Sequence, residues 1–306
     1  MRGERWRIAA AFVTLAIVTG PIVSVTSNPL YFGLPWPTPW SGAVASAVAG
    51  ILLLGFCAAK GWTLPRAKEW LILALLLAPR LAAGVGSISW VHETGWGVVF
   101  LIGLAAPMWL GLLSAAQLVR SEVPRATVGA AIAGIEAVCM TTSLDAFRIA
   151  PNQMPMAVVH VLLGVATVYV WTYAAPRLAN TSAVACAGGF LLLEGISNLG
   201  VARWLEIAAP RGFSWHEVWL AIAVQAVVAG GSACLWFWLL QRMEIAAFCM
   251  NALATWTATI LPGVVVLGFL QWQVDVAAVV AVGAVVVGVR AGVADEQPTA
   301  LGLGGT

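Results

Sequence analysis

Charge is scarce in this 306-residue chain: Asp, Glu, Lys and Arg make up 9% of it, against 61% hydrophobic residues. Ordinary soluble domains carry roughly a quarter charged residues. That gap excludes a soluble protein, and a mean hydropathy of +0.94 marks an integral membrane protein throughout. Aspartate is especially rare, and Asp145, Asp275 and Asp295 cannot form an Asp-rich site for a metal and a diphosphate. A His-Glu-x-x-His zinc motif is missing, and so is a Walker-type Gly-Lys-Ser/Thr loop, so neither zinc hydrolysis nor direct use of ATP is expected. The net charge of +2 leaves no basic patch for nucleic acid. Cys57, Cys139, Cys186, Cys234 and Cys249 stand at no metal-ligand spacing and read as small buried residues, without a disulfide framework. No metal and no cofactor is expected.

What the chain has in abundance is apolar stretches of membrane-spanning length. They cover about residues 8–25, 41–58, 70–89, 97–117, 126–142, 156–174, 183–200, 217–240, 246–268 and 274–290, each close to the ~20 residues that cross a bilayer as a helix. The first resembles a signal peptide, but the segment after it is rich in proline and aromatics and has no clear small-x-small cleavage site, so it reads as a retained helix. Cations fix the orientation. With a cytoplasmic N-terminus, the inner segments hold Arg2, Arg5, Arg7, Lys60, Arg66, Lys68, Arg120, Arg125, Arg177, Arg242 and Arg290, and the outer ones hold Arg148, Arg203 and Arg211. This bias predicts ten helices with both termini cytoplasmic. Ten spans divide into five and five, residues 1–145 and 146–306, and an odd number per half makes the second half enter from the opposite side. The expected fold is therefore an all-α polytopic membrane protein built as two inverted five-helix repeats.

The stretch from Ser89 to Leu113, with Thr94-Gly95 at a helix turn and Pro107 within the next helix, resembles the third-to-fourth helix region of EamA-like members of the drug/metabolite transporter superfamily. Glu122 in Arg-Ser-Glu-Val stands near the family's Gly-Glu-Arg-Leu, and Leu235 to Ala247 is similar to its eighth helix end, with Arg242 at the arginine of the inner turn. The resemblance implies alternating access, export of a small organic metabolite and a bacterial inner-membrane location. Two departures stand out. The ninth-helix Glu-Pro pair falls on Thr255 and Trp256, and the first span carries no glutamate where small multidrug relatives have a coupling one.

Arg80 lies near the middle of the third span, where a cation costs ~2.5–3.5 kcal/mol on the biological insertion scale. Two readings stay open for it. One is a fixed ion pair with Glu136 or Glu194, and the other is a guanidinium facing a watery cavity, where its donor fork suits a carboxylate or phosphate. Pro79 beside it removes a helix donor and favours a kink. A carboxyl at such depth must be paired, hydrogen-bonded or protonated, which makes Glu136 and Glu194 candidate proton carriers as well as packing groups. Glu194, Ser197 and Asn198 share one helix stripe. His160, near the outer end of the sixth span, is a third candidate for proton coupling.

Most of the sixteen tryptophans stand near span ends, at headgroup level. Trp109, Trp171, Trp236, Trp238 and Trp256, with Tyr169 and Asn251, lie deeper and are candidates for a substrate-binding wall together with Arg80. Gly230 and Gly231, like Pro79 and Pro107, are candidate bending points, and Gly188-Gly189 suits close helix packing. The expected function is a secondary transporter of an amino acid or another aromatic or carboxylated compound, partnered by the lipid bilayer and a small-molecule substrate. The alternative is a polytopic membrane enzyme acting on a lipid or isoprenoid. For it the sequence offers only Gly195-Ile-Ser197-Asn198, which has the Gly-x-Ser form of an intramembrane serine-protease loop but no histidine in a later span to serve as base.

Overall fold

The computed structural model describes residues 38–90, 154–204 and 215–242, with residues 7, 8, 10, 11, 14 and 15 near the start of the chain. Every long element among them is a helix: α1 Thr38–Ala59, α2 Ala67–Trp90, α3 Met154–Leu178, α4 Ala183–Trp204 and α5 Trp215–Leu240. These coincide with the second, third, sixth, seventh and eighth expected spans, and no strand occurs among the described residues. Three stretches, Gly42–Ala59, Ala183–Trp204 and Val218–Leu240, are long and apolar enough to cross a membrane. The remaining spans, the total of ten and the greater part of each expected repeat lie outside the described residues.

Local chemistry sets where the helices stop. At the end of α1, Gly61 adopts a left-handed φ of 66°, its N–H bonds Ala58 O, and the Trp62 N–H reaches back to Cys57 O. This is a Schellman cap, which turns the chain sharply and satisfies carbonyls the helix would otherwise leave open. The Glu69 carboxylate then accepts from the Arg66 N–H at the start of α2, half of a capping box. Ser182 caps α4 by accepting from the Ala185 N–H at 3.1 Å.

Helices α1 and α4 form the centre, packed most intimately on one another. They run antiparallel, since Gly50 meets Leu192, Ala47 meets Gly195, and Leu53 and Leu54 meet Gly188. Glycine makes the approach close. A Cβ on Gly50 would lie 2.5 Å from Leu192 N, and one on Gly195 would lie 2.5 Å from Ala47 N. Around this seam, Ala45, Ala49 and Leu191 join Val218, Ile222 and Ala226 of α5 in one buried cluster. Helix α2 packs on α4 and α3, and α5 packs on both α1 and α4. Outward faces stay apolar, with Leu71 75%, Val227 76% and Leu162 62% exposed. In water such a surface would drive association, whereas in a bilayer it faces lipid.

Candidate functional site

The turns between α1 and α2 and between α3 and α4 meet the end of α5 at one end of the bundle. Lys60, Arg66, Lys68, Arg177 and Arg242 gather there, and Arg203 lies at the opposite end of α4. Three of these cations use one device. The Lys60 ammonium lies 5.9 Å from the Phe56 ring centroid, the Arg177 guanidinium 3.6 Å from that of Tyr173, and the Arg242 guanidinium 4.6 Å from that of Trp238. In each pair the ring stands one helical turn before the cation, on a helix that runs toward this end, as i,i+4 spacing allows. Arg177 also donates to Tyr173 O at 2.8 Å, which fixes its side chain along α3. Gln241 joins the elements there. Its Nε2 donates to Leu178 O and to Thr181 O, both at 2.8 Å, and so holds the end of α5 against the α3–α4 turn.

Above this clasp the Trp171 and Trp236 rings meet at 6.3 Å with a 38° tilt, linking α3 to α5. These two sequence-predicted wall residues are thus brought together. Trp238, expected deeper, lies at the cationic end and lines an open cleft of about 510 Å³ with Gln241 and Arg242. Tyr169, 40% exposed, stands on α3 one turn before Tyr173.

Glu194 is buried inside the bundle, 7% exposed. Its Oε2 accepts a hydrogen bond from Ser46 Oγ of α1 at 3.3 Å, long for a hydroxyl donor. Sequence reasoning missed Ser46, and the signal was faint: a hydroxyl within the small-residue run Ala43 to Ala49. Ser197 and Asn198 continue the stripe, half-buried, one turn further along α4. The Gly195–Asn198 segment lies within continuous helix, and His216, just before the expected eighth span, stands in the first turn of α5, so that a later helix does carry a histidine. Gly195 serves the approach of α1.

Arg80 and His160 are placed by their backbones on α2 and α3, Arg80 following the buried Pro79 inside the helix, and their side chains lie outside the described residues. Trp109, Pro107, Glu136, Asn251 and Trp256 also lie outside them. Gly230 faces α1, where a Cβ would find Ala49 and Leu53 at an ordinary 3.7 Å, and a Cβ on Gly231 would meet none of the described residues within 4 Å. Among the described residues no cluster of His, Cys, Asp or Glu could hold a metal ion.

No protein family matches the chain, and no curated protein does. A protein of known crystal structure shares its fold, with a TM-score of 0.70 at 18% identity over 97% of this chain and 100% of its own. At that identity the likeness concerns architecture alone.

Proposed function

We propose that this chain is a secondary transporter of the EamA-like type, with ten helices in two inverted repeats and both termini on the cytoplasmic side of a bacterial inner membrane. The observation that carries this reading is the contact pattern around the central pair. An axis exchanging the repeats maps α1 onto α4 and α2 onto α5, the second and third helices of each half. It requires α1 and α4 to be antiparallel, and it turns an α2–α4 contact into an α1–α5 contact. All three relations are present. The α4–α5 contact has no equally extensive α1–α2 counterpart, and a difference between halves is what rocking needs in any one state.

The substrate class follows from chemistry at midplane. Arg80 suits a carboxylate and the aromatic side chains suit an apolar remainder, so an amino acid or aromatic acid is the proposed cargo, with export as the proposed direction. Purified protein in proteoliposomes is expected to exchange labelled amino or aromatic acids across the bilayer. Folded protein that moves none of a broad carboxylate panel would overturn the reading. Topology gives an independent check: reporters should read cytoplasmic after Thr306 and external within residues 26–40, and an external C-terminus would remove the inverted repeat.

The acidic residues divide the coupling question. Glu194→Gln keeps an oxygen to accept from Ser46 and removes the titratable proton, so the protein should fold. If Glu194 carries the coupling proton, gradient-driven movement stops while substrate exchange persists, and the same holds for Glu136→Gln. Unchanged pH dependence in both variants would assign the two residues to packing. Ser46→Ala, which removes one buried hydrogen bond to Glu194, is expected to cost about 1–3 kcal/mol of stability.

A further inference from the structure

The outer face of α1 changes character in order along one strip of the helix. Leu52 is 65% exposed and Phe56 46%. Lys60 follows at the same i,i+4 spacing, and its N–H bonds Phe56 O at 3.0 Å, which carries the helical register past the end of α1. Among the exposed side chains of Ile51, Leu52 and Phe56, Gly55 leaves a trough, since a Cβ there would meet none of the described residues within 4 Å. Over about two turns the strip runs from aliphatic through aromatic to cationic.

Each part of the strip belongs at its own depth. Gly42–Ala59 is apolar and long enough to cross a bilayer, so Leu52 and Gly55 lie among acyl chains and Lys60 at the water side. Trp62 packs edge-on against Phe56 with ring centroids 5.6 Å apart, and indole rings favour the headgroup layer. The Lys60 ammonium lies 5.9 Å from the same Phe56 ring, within reach of a cation–aromatic attraction that keeps the charge beside the trough. Charge in the adjoining turn is weighted to one sign. Residues 59–69 carry Lys60, Arg66 and Lys68 against Glu69, all three cations are exposed, and the Glu69 carboxylate accepts from the Arg66 N–H as a cap of α2. A turn of this kind attracts anionic headgroups.

We infer that this strip binds one anionic glycerophospholipid on the outer face of α1, with an acyl chain in the trough over Gly55, the glycerol level beside Phe56 and Trp62, and the phosphate at the Lys60 ammonium. Arg66 and Lys68 add to the attracting field. A zwitterionic lipid offers the same chains, but the cation of its own headgroup opposes Lys60. This rests on the chain being membrane-embedded, and it stands or falls independently of solute transport.

The full chain, monodisperse in a neutral detergent, would be titrated with phosphatidylglycerol, with phosphatidylcholine and with sn-glycerol 3-phosphate, and binding read by native mass spectrometry and by the shift in melting temperature. Phosphatidylglycerol is expected to stay bound and to raise the melting temperature well beyond phosphatidylcholine. Lys60→Gln should weaken phosphatidylglycerol about fivefold, the effect of one cation at the membrane surface. Gly55→Leu fills the trough while leaving every charge in place, and should weaken the same lipid by a similar factor. Both positions are exposed, so both variants should fold, and Arg203→Gln at the opposite end of the bundle should bind as the parent does. Parental affinity for phosphatidylglycerol in either folded variant would overturn the site. So would phosphatidylcholine binding as tightly as phosphatidylglycerol, or glycerol phosphate binding as tightly as the lipid, since the trough would then contribute nothing.

Discussion

Gly195→Ala is expected to lose most of the folded protein, and Gly50→Ala to do the same. A new methyl at either position would press within 2.5–2.8 Å of backbone atoms on the facing helix, Ala47 N and Ala43 O for Gly195, Leu192 N and Gly188 O for Gly50. Backbone cannot rotate away as a side-chain tip can, so α1 and α4 must separate along their seam. Overpacking commonly costs about 1–3 kcal/mol even where side chains can shift, and the gain in helix propensity from glycine to alanine returns only about 1 kcal/mol. The control is Gly231→Ala, where a Cβ meets none of the described residues within 4 Å. There the propensity gain acts alone, and stability should hold or rise. Melting in detergent, followed by the monodisperse fraction after heating, distinguishes the two. A Gly195→Ala protein that melts with the parent would mean the central pair is not packed as described.

Arg80 carries the largest expected effect on transport. A guanidinium that grips a carboxylate with two parallel donors cannot be replaced by an ammonium, which offers a point charge at a different reach. Loss of one charge-assisted hydrogen bond, worth about 1.5–3 kcal/mol, lowers affinity by about tenfold or more. Arg80→Lys and Arg80→Gln are therefore expected to lose flux by at least that factor while remaining folded. Near-normal transport by both folded variants would end the carboxylate-clamp proposal. A structural ion pair makes a different demand: Arg80→Ala should insert poorly, and neutralising the acidic partner as well should restore much of the loss.

The helices were legible because their signal is local. A run of apolar residues bounded by Lys60, Arg66 and Lys68, or by Arg177 and Asn180, marks its own ends, and the described helices fall within a few residues of the expected spans. Gly61 was harder to read, since its cap depends on a turn that hydropathy does not register. The acceptor role of Glu194 was hardest of all. Its donor Ser46 is 148 residues away, and no periodicity within either helix announces which face will meet which. The same holds for Gly50 and Gly195, one an unremarked glycine among alanines and the other part of a segment with a protease-like pattern. Their meaning lies in the facing helix.

The aromatic–cation pairs have a consequence for the order of assembly. Phe56 with Lys60, Tyr173 with Arg177 and Trp238 with Arg242 each join a ring on one helix to a cation four residues later, at or just past that helix's end, so each pair can form as soon as its own helix does. The α1–α4 seam joins residues such as Ser46 and Glu194 across 148 positions and cannot close before α4 has been made. Each of the three helices thus sets its depth while still alone in the bilayer, and the later search for neighbours becomes a lateral one in which vertical register is already settled.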